Sequence, residues 1–152
     1  MNINLKAALT ISYLFISICV IYPKDSNKST IQNYIFPKDK VKIAEYKNKT
    51  YVGITITNIE VQKAEKLFEK YLRSLDPNLF LKLNSYKRQY VGISSQGRKI
   101  IYINFAKSTA HRTPKDWEEE LFFTFDGGSD YMNVKVNIDD NFCYDFSVNG
   151  EA

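Results

Sequence analysis

The run "YVGITITNIEVQKAEKLFEKYLRSLDPN", residues 51–78, holds a strand and a helix back to back and decides the fold class. Val52, Ile54 and Ile56 alternate with Tyr51, Gly53 and Thr55, the period of two expected of a strand. Thr57 and Glu60 follow at capping-box spacing: the hydroxyl accepts from the amide three residues on, and the carboxylate returns to the cap amide. Val61, Ala64, Phe68, Tyr71, Leu72 and Leu75 then recur at steps of three and four, while Lys63, Glu65, Lys66, Glu69, Lys70 and Arg73 fill the other side. The spacing predicts an amphipathic helix with one face buried and one wet. Asp76-Pro77-Asn78 ends it, because proline lacks the amide and pushes its predecessor out of the helical region.

Beyond the helix, residues 83–148 show no second helical period and read as successive strands. "SYKRQYVGI" and "KIIYINF" flank Ser95-Gln96-Gly97-Arg98, a loop short enough to predict an antiparallel hairpin. A longer connection carries Pro114, the single histidine His111 and the single tryptophan Trp117. It leads into "ELFFTF", where Leu121, Phe123 and Phe125 alternate as in a further strand. In "DGGSDYMNVKVNIDDN", residues 126–141, Met132, Val134, Val136 and Ile138 alternate with polar neighbours, and Phe142, Tyr144, Phe146 and Val148 alternate in turn. Asp139-Asp140-Asn141 is turn chemistry, so this stretch is expected to be a hairpin. A calcium loop needs oxygen ligands at alternate positions and a late bidentate carboxylate, and the run from Asp126 to Asp130 has neither the third-position acid nor the closing glutamate. Gly127-Gly128 suits a turn or bulge.

One helix after a first strand, followed by a run of strands, predicts an α+β domain. Its main helix is expected to pack on a curved antiparallel sheet of five or six strands. Tyr86, Tyr90, Tyr102, Phe122 and Tyr131, interspersed with Arg88 and Lys135, are expected on the face away from the helix, and Tyr86, Arg88, Tyr90, Tyr102, Trp117 and Tyr131 are the candidate binding residues. There they would form a surface for a ligand or for a homodimer through the sheet. The plainer alternative is that tyrosines simply cover a half-wet sheet.

Toward the N-terminus the character changes. Lys6 precedes an uncharged apolar run at residues 7–22, and "PKDSNKS" then turns polar. This suits a secretory signal peptide; the run falls short of the ~20 residues of a comfortable membrane span. An uncleaved membrane anchor and lipid attachment at Cys19 stand beside that reading, although Ile18 is not the small residue that lipidation wants. All three place the chain outside the cytoplasm, whether periplasmic, secreted or at the cell surface. Residues 23–46 sustain no period and read as a polar linker, leaving 47–152 as a single domain. Two glycosylation sequons begin at Asn27 and Asn48, a pattern that a chain rich in Asn, Ser and Thr meets by chance.

The composition excludes several classes. The net charge of +4 comes from 21 basic and 17 acidic residues dispersed along the chain, with no basic block that would track a phosphate backbone, so nucleic acid is not an expected partner. One histidine is too few for a zinc site built on imidazoles, and neither metal nor cofactor is expected. Cys143 and His111 have no spacing that marks a catalytic pair, and the neighbours Glu118-Glu119-Glu120 and Asp139-Asp140 would point to opposite faces of a strand. No catalytic residue is assigned. Loss of the leader would remove Cys19 and leave Cys143 without an internal disulfide partner.

The strand, helix and following strands resemble cystatin-like and NTF2-like folds. Cystatin inhibitors carry Gln-x-Val-x-Gly at a first hairpin and Pro-Trp at a later one. Here Gln89-Tyr90-Val91-Gly92 has its glycine one place early, and Lys115-Asp116 separates Pro114 from Trp117. "YKRQYVGI", "KIIYINF", the tryptophan, "DGGSDYMNV" and the closing "FSVNGEA" look like a group of small exported bacterial proteins of unassigned activity. That resemblance covers residues 85–152 and implies location and domain type. The function expected is a non-catalytic binding or interaction module for a protein or small-molecule ligand outside the cytoplasm, touching membrane only through the N-terminal segment. The alternatives are a cystatin-like peptidase inhibitor and a small pocket enzyme of NTF2-like type. The inhibitor requires the Gln96-Gly97 tip and the Trp117 loop side by side. The enzyme requires a concavity that brings Asp126 or Asp145 to Arg88 or Tyr102.

Overall fold

The computed structural model describes residues 33–40, 44–46, 49–110, 117–122, 124 and 126–150. The leader, the asparagines of both sequons and His111 lie outside them. Within them the fold is α+β. Strands β1 (Asn33–Ile35), β2 (Ala44–Tyr46) and β3 (Lys49–Gly53) precede helices α1 (Asn58–Leu75) and α2 (Pro77–Lys82). Strands β4 (Tyr86–Ser95), β5 (Arg98–Lys107), β6 (Tyr131–Asn137) and β7 (Phe142–Val148) complete the order. The ladder runs β2-β3-β4-β5-β6-β7 with antiparallel neighbours, and β1 lies parallel to β4, which makes the sheet mixed rather than wholly antiparallel.

Helix α1 forms as its sequence dictates. The Thr57 side chain accepts from the Glu60 amide at 3.3 Å, and Glu60 takes the Thr57 amide at 2.8 Å. Val61, Ala64, Phe68 and Leu72 are buried against Ile101, Ile103, Phe105, Met132, Val134 and Val136 of β5 and β6, with Phe146 of β7 packed 5.6 Å from the Phe68 ring. Two positions depart from the expected stripe. Glu65 turns inward to polar groups on β4, and Leu75 runs past the sheet and stays exposed.

Asp76 does end α1, its amide bonding to Leu72 O, but it also starts α2, its carboxylate accepting from the Leu79 amide at 2.9 Å. Proline suits the first turn of a helix, where its missing amide costs no hydrogen bond. One dipeptide therefore closes one helix and opens a second that the periodicity did not show.

The segment read as a polar linker enters the sheet. Asn33, Tyr34 and Ile35 pair with Arg88, Gln89 and Tyr90, and the Phe36 amide bonds Tyr90 O at 2.9 Å. Burying Phe36 among Val91, Ile93 and Ile100 drives this, with the Tyr34 ring edge-on to it at 4.9 Å. The stretch at residues 120–125 also differs: Glu120, Leu121, Phe122 and Thr124 form no strand, and β6 pairs directly with β5. Leu121 and Phe122 pack instead on the sheet face opposite the helix.

The β6–β7 hairpin is as expected. Asn137 Oδ1 accepts from the amides of Asp139 and Asp140, and Asn141 takes the left-handed conformation that closes the turn. Asp139 accepts from the Lys99 amide at 2.7 Å, and Asp140 meets Arg98 at 3.2 Å, so both turn aspartates serve the fold.

Candidate functional site

Strand β4 is where the sequence-derived site residues converge, and its alternation separates them. Tyr86, Arg88 and Tyr90 project toward the helices; Lys87, Gln89, Val91 and Ile93 project to the far side. Both sides are covered.

On the helix side, Arg88 Nε lies 3.3 Å from Glu65 Oε1, and the guanidinium also donates to Tyr86 O at 3.0 Å and Leu83 O at 3.1 Å. The Tyr90 hydroxyl donates to the same Glu65 oxygen at 3.0 Å. Burial pushes the Glu65 carboxyl above its usual value, and the Arg88 charge opposes that rise. Burial and the neighbouring Glu65 charge push the Tyr90 phenol upward as well. The Tyr86 hydroxyl donates to Ser129 O, and burial followed by the Asp130 charge raises its pKa. These groups hold α1, α2 and the residue 128–130 turn to the sheet.

On the far side, fully buried Gln89 uses its whole amide. Its Nε2 donates to Trp117 O at 2.7 Å and to Glu120 O at 2.8 Å, while Oε1 accepts from Asn104 Nδ2 and from the Phe122 amide, each at 3.0 Å. Asn104 Nδ2 also donates to Phe122 O at 2.6 Å. Two side-chain amides thus clasp residues 117–122 to β4 and β5. Trp117 packs behind the clasp on Ala106 and Tyr131, its ring 4.7 Å below the Lys87 ammonium. Burial moves the Lys87 pKa downward. The indole N–H of Trp117 finds no acceptor among the described residues. Tyr102, half-buried on this face, is pushed upward by burial alone.

The six candidate binding residues are therefore divided, with Tyr86, Arg88 and Tyr90 under the helices, Tyr102 and Tyr131 on the far side and Trp117 in the segment that covers that side. A tyrosine-rich face requires one strand phase and one bare side, and β4 has neither. Gln89, Asn104 and Glu65 hold the site together and are not among the residues expected there. The one local sign was Gln89, an amide set between tyrosines in a strand, where an uncharged polar side chain needs a full set of partners once buried.

Two of the groups expected of a pocket, Arg88 and Tyr102, lie on opposite faces of the sheet, Arg88 on the helix side and Tyr102 on the far side. Asp145 is exposed and reaches Lys135 at 3.0 Å. Between Tyr102, Asn104, Phe122 and Tyr131 there is a void of about 20 Å³, room for roughly one water. A broader hollow of about 430 Å³ opens on the solvent side of α1 between Ile59, Gln62, Lys63, Lys66, Leu67 and Lys70. Every wall of it is a side chain of one helix, so lysine rotamers set its shape.

Cys143 is half-buried against the helix-side core, and burial pushes its thiol up to about 11, away from the thiolate that nucleophilic work needs. Among the described residues no group of three or more His, Cys, Asp or Glu could hold a metal, and no helix is long and apolar enough to cross a membrane.

Comparison with known proteins finds no matching family model, no matching curated protein and no matching solved structure. Any functional reading rests on the geometry.

Proposed function

We propose that the chain is an exported, non-catalytic binding or interaction domain that meets its ligand on its outer surface. One observation carries this reading: the chain itself closes both faces of its main sheet. Phe68, Leu72 and their neighbours fill the helix side, and Phe36, Leu121 and Trp117 cover the far side. The polar groups on β4 are already engaged in structural bonds. The exported location rests on the basic residue and apolar run of the leader.

A cystatin-like architecture belongs to the same reading. It is supported by the order of β3, the helices and β4, and by three further strands, β5 to β7, that follow β4 as neighbours in consecutive order. Peptidase inhibition draws less support. The Gln96-Gly97 tip lies at one end of the β4–β5 hairpin and Trp117 stacks on Lys87 at the other, eight residues away along β4, or roughly 26 Å at strand rise. The pocket enzyme draws less still, since α1 occupies the concavity it needs.

The test is photo-crosslinking in the native host from exposed positions in the full chain, Ile59 and Phe142 among them, alongside cell fractionation. A discrete adduct from one surface, with the protein outside the cytoplasm, is the expected result. A cytoplasmic protein, or substrate turnover by the purified chain that surface substitutions leave intact, overturns the reading.

A further inference from the structure

We propose that the corner formed by the end of α1 and by α2 docks on an anionic membrane, the bilayer from which the N-terminal segment emerges. This rests on the exported reading with residues 7–22 retained as an anchor.

The direction of β1 fixes where the preceding chain enters. Because β1 is parallel to β4, Asn33 lies beside Arg88, and its Oδ1 accepts from the Arg88 amide at 3.2 Å. Strand β4 starts at Tyr86, immediately after α2 and the turn Leu83–Ser85. The chain before residue 33 therefore arrives at the α2 end of the molecule. Helix α1 points the same way. Its first turns meet the far end, through Glu60 with Lys99 and Lys63 with Ile138 O, and its last turn comes to α2. Ten residues separate Tyr22 from Asn33, a reach of ~35 Å at full extension. Whatever holds residues 7–22 keeps this end close to it.

The same end carries a surface suited to a lipid boundary. Leu75, the last residue of α1, is 54% exposed, and Leu81, near the end of α2, is 77% exposed. Lys70, Arg73 and Lys82, near them along the chain, are exposed, and none has a carboxylate partner among the described residues, the Arg73 guanidinium lying 4.4 Å over the Phe80 ring. The one acid within the junction, Asp76, is turned into the cap of α2. At the opposite end Lys99 is paired with Glu60 and Arg98 with Asp140. Exposed leucines close in sequence to cations that lack carboxylate partners fit the boundary between headgroups and acyl chains of an anionic leaflet, which takes up apolar side chains and attracts cations together.

The experiment uses the full chain in liposomes, with a polarity-sensitive dye on a cysteine at Leu81 or, for comparison, at Gln96, both in a Cys19→Ser, Cys143→Ala background. In liposomes containing phosphatidylglycerol, the dye at position 81 is expected to shift to the blue and to be quenched by brominated lipids several-fold more than the dye at 96. Lys70→Glu with Lys82→Glu should abolish the difference while the chain still floats with the liposomes and keeps its circular dichroism. A chain that floats with position 81 as wet as position 96 overturns the docking alone. A chain stripped from liposomes by alkaline wash overturns the retained anchor, and the docking with it. Equal quenching in phosphatidylcholine alone overturns the anionic assignment.

Discussion

Replacing Gln89 with leucine keeps the side chain's approximate volume and removes every bond of the amide clasp. Four hydrogen bonds end on this side chain, to Trp117 O, Glu120 O, Asn104 Nδ2 and the Phe122 amide. At ~1 kcal/mol net each, their loss sets about 4 kcal/mol. The Phe122 amide is left without its acceptor in a part-buried site, which adds to that cost, whereas the Glu120 carbonyl can turn to water and subtract from it. The expected destabilisation is about 3–5 kcal/mol, a large share of the stability of a small domain. Trp117, the single tryptophan, reports on the clasped segment directly. Urea unfolding followed by its fluorescence should show an earlier transition for Gln89→Leu than far-ultraviolet circular dichroism does, with redder emission already in buffer, because the segment lifts while the sheet persists. The double variant with Asn104→Leu should cost less than the sum of the single ones, since the two amides share partners. A Gln89→Leu protein with unchanged emission and a loss below ~1 kcal/mol would refute the view that this amide holds the far-side cover.

Two carboxylates of α1 should give pH dependences of opposite sign. Glu65 has its folded pKa raised from 4.5, mainly by burial, so its contribution favours folding at low pH and is lost as pH rises through the shifted value. Urea midpoints of Glu65→Gln relative to the parent should therefore improve with rising pH. Glu60 has its pKa lowered, first by Lys99 and then by the Thr57 amide, so its contribution is present above 4.5 and lost on acidification; Glu60→Gln should flatten the acid limb of the stability curve. Gly92→Ala would place a Cβ 2.4 Å from Ile56 Cγ2 and 2.5 Å from Ile54 O, and a cost of about 3 kcal/mol is expected in thermal or urea unfolding. Cys143, with its thiol pushed up to about 11, should react with a disulfide reagent at neutral pH far more slowly in the folded Cys19→Ser chain than in urea, and equal rates would contradict its burial.

The sequence disclosed elements whose determinants lie close along the chain. The capping box and the three-four stripe of α1, the short loop of the β4–β5 hairpin and the Asx turn of the β6–β7 hairpin are all local, and each is in the structure. What stayed hidden depends on distant partners. Strand β1 has three residues and no alternation, and it exists because Phe36 finds a slot across the sheet. The alternation of Leu121 and Phe123 suggested a strand, but Leu121 and Phe122 are buried by lying on the sheet, which no periodicity can distinguish from joining it. The phase of β4 was not readable because Tyr90 and Val91 are both buried, each on its own side, so the strand lacks the wet face that usually gives phase away. The candidate surface inherited that error, since placing Tyr86, Tyr90 and Tyr102 together assumed one covered side.

The parallel seam between β1 and β4 also bears on where this domain can be cut. An expression product starting at residue 47 would lose Tyr34, Ile35 and Phe36, leaving the Arg88 amide and the Tyr90 carbonyl open beside a vacated apolar cleft. Such a margin is a template for any extended peptide, including the same strand of another molecule, so truncation should yield oligomers and precipitate rather than a tidy minimal core. The smallest well-behaved fragment begins no later than Asn33.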